Sequence, residues 1–136
     1  MALSKEVVLS TLAVLITAAA LFAVAPEAPE AQNLTQEKLK CVQRGTILAH
    51  GQSWVDKHVP YNQGGSYDGY RTDCSGFVSM CWELARPGLT TSTLGSVSRT
   101  ISKDELQGGD ALLNEGSHVV LFAGWADGSR STYIGM

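Results

Sequence analysis

One of the three cysteines stands where a thiol can be turned into a nucleophile. Cys74 lies in Tyr70-Arg71-Thr72-Asp73-Cys74-Ser75-Gly76-Phe77-Val78, at the point where a polar loop gives way to an apolar run. Asp73 has the residue type and the place of an N-cap. Beyond it Phe77, Val78, Cys81, Trp82 and Leu84 to Ala85 recur at helical spacing until Pro87-Gly88 ends the element. Cys74 therefore falls in the first turn of a predicted helix, where unpaired backbone N–H groups and the helix dipole favour an anion and make the sulfur a better nucleophile. The bland alternative is a buried cysteine acting as a small hydrophobe. The polar Asp-Cys-Ser-Gly context argues against it, and Gly76 is expected to keep the helix start open to a bulky substrate.

A thiol nucleophile needs a base, and His118 is the best placed of the three histidines. It opens the strand-like run Val119-Val120-Leu121-Phe122-Ala123-Gly124-Trp125. Alternation along that strand places Val120 and Phe122 on its side, so the ring is expected to face the same side as core residues. His50 and His58 fall on an earlier helical segment with no third ligand at sensible spacing, and are read as surface or packed histidines, not as a metal site. Cys74 and His118 together predict acyl transfer. His118 takes the thiol proton, the sulfur attacks an amide carbonyl, the Cys74 backbone N–H helps hold the oxyanion, and water releases the thioester.

These residues must be positioned by a small fold. With 136 residues and 44% hydrophobic content, the chain supports one globular domain of about 100 residues after its first segment is set aside. The net charge of -3 argues against a nucleic-acid partner, and the Lys38, Lys40 and Arg44 face of the first helix is expected to be solvated. Lys5 followed by the apolar run Val7 to Ala25 has the form of a secretory signal peptide over residues 1–25; the rival reading is an uncleaved membrane anchor. Residues 26–34, rich in Pro, Glu and Ala, are a linker or propeptide and hold the glycosylation sequon Asn33-Leu34-Thr35. Lys103-Asp104-Glu105-Leu106 is internal and is no retention signal.

Residues 35–136 form the predicted domain. Thr35 is expected to cap a helix from about Gln36 to His58, broken near Gly45 or Gly51. Tyr61 to Thr72 reads as a loop, and the Thr/Ser-rich run Leu89 to Thr100 as an exposed loop along the cleft. Gly108-Gly109-Asp110 turns into a strand over Ala111 to Leu113, the His118 strand follows, Asp127-Gly128 makes a hairpin, and Thr132-Tyr133-Ile134 begins the return strand. Helices followed by antiparallel strands make the fold class α+β, with helices packed on one face of a small sheet.

Four pieces in this order, Val59-Pro60-Tyr61, Asp73-Cys74-Ser75-Gly76-Phe77-Val78, Gly109-Asp110-Ala111-Leu112-Leu113 and His118-Val119-Val120-Leu121-Phe122, resemble the NlpC-type cysteine peptidases of cell walls, a circularly rearranged papain-like group. The resemblance runs from about Thr46 to the end. It implies a papain-like fold and a secreted, extracellular, monomeric peptidase or amidase that cuts peptide stems of bacterial peptidoglycan without a cofactor or metal. The membrane is a partner only if the first segment stays uncleaved. The resemblance also gives Tyr61 a role at the oxyanion. Asp73 and Ser75, flanking the nucleophile, would bind the free amino end of a stem; the plainer readings are an N-cap and an exposed first-turn residue. It further implies a third polar residue on the strand after His118, orienting the imidazole. With Asp127-Gly128 as the two central turn residues, the partner of His118 falls just past Met136. Either the orienting residue is lost with an incomplete last strand, or a looser turn brings Tyr133 or another group into play. The alternative to an enzyme is a catalytically weak or inactive secreted binding or effector domain of the same fold.

Cys74 and Cys81 are about 10 Å apart along one helix, too far to bridge. Cys41 with Cys81 is the pairing that spares the nucleophile; the alternative is two buried thiols.

Overall fold

The structure is a computed structural model and describes residues 2–4 and 42–136. Except for Ala2–Ser4, the leader lies outside the described residues, as do the linker with Asn33, the Thr35 cap and Cys41. The described elements are mixed α+β: two helices and two small antiparallel sheets.

Helix α1 spans Arg44–Asp56 and follows Gln43, whose side chain makes no cap. The helix begins at Arg44, one residue before Gly45 and after the non-helical Val42 and Gln43, and it runs unbroken through Gly51. Gly51 serves packing instead. A Cβ there would stand 3.0 Å from Met136 Sδ and 3.3 Å from a Leu121 methyl, so the bare backbone lets the helix lie close to the sheet.

The loop expected over Tyr61 to Thr72 is mostly a hairpin, β2 (Asn62–Tyr67) and β3 (Tyr70–Thr72). Its turn residues Asp68 and Gly69 both have positive φ, 49° and 78°, as a two-residue hairpin turn requires. Helix α2 covers Cys74–Cys81 and stops short of the expected Ala85. Glu83 takes a left-handed conformation (φ 52°), its N–H reaches Met80 O at 3.0 Å and the Leu84 N–H reaches Ser79 O at 2.9 Å, which closes the helix. Leu84 still packs against the core, which is why the apolar spacing outruns the helix.

The larger sheet has the order β4 (Arg99–Ile101), β1 (Ala2–Ser4), β5 (Ala111–Asn114), β6 (His118–Trp125), β7 (Tyr133–Gly135). Strand β1 pairs antiparallel with both β4 and β5. Loss of a leader over 1–25 would remove β1 and leave those two strands with facing unpaired edges. No helix among the described residues is long and apolar enough to cross a membrane.

Ala111, Leu113, Val119 and Leu121 form one core cluster with Ile47 and Trp54 of α1 and Val78 and Cys81 of α2. Phe122, Ile101 and Leu106 form a second, smaller cluster. Trp82, fully buried, donates its Nε1–H to Gly109 O at 2.9 Å and so ties the end of α2 to the turn before β5. In that turn Asp110 is 1% exposed and accepts from Arg44 at 2.6 Å and from the Gln107 N–H at 2.8 Å. This corrects the solvated reading of the basic face: Arg44 neutralises a buried carboxylate, while Lys38 and Lys40 lie outside the described residues. The Leu89 to Thr100 run is also more than an exposed loop. It holds a 3-10 turn at Leu94–Val97 and the start of strand β4, and Leu94 is fully buried. A lone apolar residue without periodicity gives no sequence sign of burial.

Candidate active site

Asp73 has extended backbone angles and accepts the Gly76 N–H at 2.6 Å through Oδ1, so it caps α2 as expected. Its other oxygen accepts Arg71 Nε at 2.8 Å, and Ser75 Oγ donates to Oδ1 at 3.1 Å. Arg71 also donates to Gly88 O at 2.8 Å, to Leu89 O at 2.7 Å and to Ser75 Oγ at 3.2 Å. The residue sewing the helix start to the loop after α2 is therefore Arg71, which sequence reasoning passed over. Its position two residues before an N-cap aspartate was the available signal.

Burial raises the Asp73 carboxyl, but hydrogen bonds from Arg71, Gly76 and Ser75 outweigh that and hold it below its ordinary 3.8. A depressed carboxyl stabilises the fold fully above its unfolded value and loses that contribution as pH falls through the folded value. The difference in unfolding free energy between native protein and Asp73→Asn is therefore expected to be full well above pH 3.8 and to close below it, as urea titrations at a series of pH values would show.

These bonds bear on the two flanking residues. Both Asp73 oxygens are engaged within the protein, although the residue still lines the cavity at Cys74. Ser75 is 4% exposed and faces neither solvent nor that cavity, so its hydroxyl belongs to the cap network. Gly76 is buried too. A Cβ there would overlap the Arg71 carbonyl and stand 2.8 Å from the Arg71 Cβ. It lets α2 start hard against β3; it does not open the site to a substrate.

Cys74, half-buried at the first position of α2, lines a cavity of about 480 Å³ together with His118 and Tyr61. Trp54, Phe77 and Pro60 give it apolar walls, and Tyr133, Gly135 and Met136 line it from the last strand. The proposed nucleophile, base and oxyanion residue thus share one cavity. His118 is exposed, and the β6 residues in the core beneath the helices are Val119 and Leu121, not the set that alternates with the histidine; Phe122 belongs to the second cluster. Because consecutive residues His118, Val119 and Val120 all line the cavity, it meets β6 at its edge. The run Leu89 to Thr100 contributes nothing to it.

The hairpin after β6 is looser than two residues. Asp127 accepts from Ser129 Oγ at 2.6 Å, Ser131 N at 3.1 Å and Thr132 N at 2.8 Å, and from the Thr132 hydroxyl. That cradle wraps the chain back on itself, so Trp125 faces Tyr133 and Leu121 exchanges bonds with Met136 at 3.0 and 3.1 Å. The register expected from a tight Asp-Gly turn is corrected accordingly, and no described residue of β7 stands opposite His118. On its other side His118 pairs with Asn114, a polar neighbour the sequence reading did not consider.

Of the two readings open for Cys81, a bond with Cys41 or a buried thiol, the described residues show the thiol, free and fully buried, and burial pushes it up to about 12; Cys41 itself lies outside the described residues. Iodoacetamide at neutral pH is expected to label Cys74 and spare Cys81 until the protein is unfolded, which peptide mass mapping would show. No family model, no curated protein and no solved structure matches the chain.

Proposed function

We propose that the protein is a secreted cysteine peptidase or amidase of papain-like architecture that hydrolyses amide bonds in the peptide stems of bacterial cell wall. One observation carries the proposal: Cys74, His118 and Tyr61, from three separate parts of the chain, line a single cavity beside the capped start of α2. His118 accepts the Cys74 proton, and the sulfur forms a bond to the amide carbonyl carbon. The oxyanion is met by the Cys74 N–H and the Tyr61 hydroxyl. The C–N bond breaks, the amine leaves with the proton from His118, and water cleaves the thioester and restores the thiol. The apolar walls from Trp54 and Phe77 suit a peptide substrate more than a strongly charged one. The choice of cell-wall stems rests on the motif resemblance.

A second reading, a weakly active or inactive binding domain of the same fold, is favoured by a specific observation. Among the described residues, no hydrogen bond joins Cys74 to His118 or orients the imidazole. Catalytic hydrogen bonds often tighten only when substrate is bound, so product formation decides between the two. Purified protein incubated with defined stem peptides is expected to yield new cleavage products by mass. If none forms while the peptides still bind, the binding domain is the correct reading. N-terminal sequencing of secreted material would place the leader cut and separate a secreted from an anchored protein.

A further inference from the structure

We propose that a second cavity, of about 660 Å³, is a binding pocket for a small zwitterion, a free amino acid or dipeptide carrying ammonium and carboxylate together. Its walls come from α1, from the β2–β3 hairpin and from the segment that follows α2. Trp54, Tyr67 and Tyr70 supply an aromatic surface, and groups of both charge signs surround it. Such a lining neither attracts one sign of ion nor suits an apolar ligand; it complements a molecule with one of each charge and a short apolar body.

The acidic side is built at some local cost. Glu83 occupies the left-handed position that ends α2, where glycine is the favoured residue, yet it is a glutamate and lines the cavity. Its Oε1 stands 3.9 Å from His50 Nε2, at the long limit of an ion pair. The other ring nitrogen, His50 Nδ1, is buried with no hydrogen-bond partner among the described residues. His50, paired only at long range, is the group whose hydrogen bonding a ligand ammonium would complete, with the Glu83 carboxylate supplying the opposite charge beside it.

The basic side is Lys57 and Arg86. Lys57 Nζ lies 5.9 Å from the Tyr67 ring centre and has no carboxylate partner among the described residues. Arg86 is placed over Tyr70 at 5.2 Å and reaches Asp68 at 3.2 Å on the exposed rim. A ligand carboxylate would give Lys57 the counterion it lacks. Binding here requires no chemistry at Cys74, so it stands or falls apart from the proposed hydrolysis.

The test uses the full chain carrying Cys74→Ala, so that no probe is turned over, and follows the Trp54 indole signal by NMR. Alanine and alanyl-alanine are the zwitterionic probes; N-acetyl-alanine lacks the ammonium and alaninamide lacks the carboxylate. A saturable shift is expected with either zwitterion, with binding about tenfold weaker for each blocked probe and for Glu83→Gln or Lys57→Ala. Trp54 also lines the Cys74 cavity, and the two variants report which cavity is filled, since Glu83 and Lys57 line only the second. No saturable shift, or one that survives both substitutions unchanged in folded variants, overturns the proposal.

Discussion

Replacing Cys74 by alanine is expected to abolish cleavage of stem peptides, and His118→Ala to lower kcat/KM by roughly 10²- to 10⁴-fold. The two losses differ because the residues do different work. Without the sulfur no thioester forms and the path is closed. Without the imidazole, a hydroxide or water can still take the thiol proton, slowly, and the oxyanion contacts proposed for Tyr61 and the Cys74 N–H would persist. Both variants should fold. Cys74 is half-buried and His118 exposed, and neither side chain forms a hydrogen bond on which other described elements depend. Unfolding midpoints in urea close to that of the native protein would establish that the loss is chemical. Asn114, opposite His118 in the β5–β6 ladder, provides a graded comparison. If it steadies the ring, Asn114→Ala lowers kcat and leaves KM unchanged. Full activity of His118→Ala would mean that the base lies elsewhere and would end the assignment.

Gly76→Ala is expected to destabilise the fold by about 3 kcal/mol, at the upper end for an inserted methyl group. The added Cβ would meet the backbone of Arg71, which a rotamer change cannot move aside. Either α2 retreats from β3 or Arg71 shifts, and either movement breaks the set of bonds from Arg71 to Asp73, Gly88 and Leu89. Since Cys74 stands at the start of the same helix, cleavage should fail along with stability. Gly45→Ala is the matched control. Nothing lies within 4 Å of a Cβ at that position, which is inside α1, so this change should be neutral or stabilise by about 0.5–1 kcal/mol. Equal urea midpoints for the two variants would show that α2 does not need its close approach to β3.

Local chemistry could be read from the chain where it depends on neighbours in sequence. Asp73 ahead of an apolar helical run makes a cap because its carboxylate needs to reach only three residues on. The runs Ala111–Asn114 and His118–Trp125 make strands because their residue types suit a half-buried pleated surface. Turns were harder, although they too are local. Asp68-Gly69 forms a tight hairpin where the sequence predicts a loop, whereas Asp127-Gly128, where it predicts a tight turn, is drawn into a wider one by hydroxyls and N–H groups further along. The same dipeptide takes different courses because Asp127 has Ser129, Ser131 and Thr132 to bind, whereas Asp68-Gly69 is followed directly by strand β3.

The sequence by itself determined the class of fold, the capped helix at Cys74, the strand headed by His118, and the pairing of residue types that makes thiol chemistry the leading proposal. Only the tertiary structure decided that Cys74, His118 and Tyr61 line one cavity, that Gly76 is a packing residue, that Ser75 is buried in the cap network, that Arg44 answers a buried Asp110, and that β7 pairs with Phe122, Gly124 and Trp125 and not with His118. The physical reason is one of range. Capping, helix spacing and strand alternation act over a few residues and leave a pattern in the chain, whereas close approach, burial of a polar group and strand register are set by whichever distant segment arrives opposite, and no local pattern records that partner.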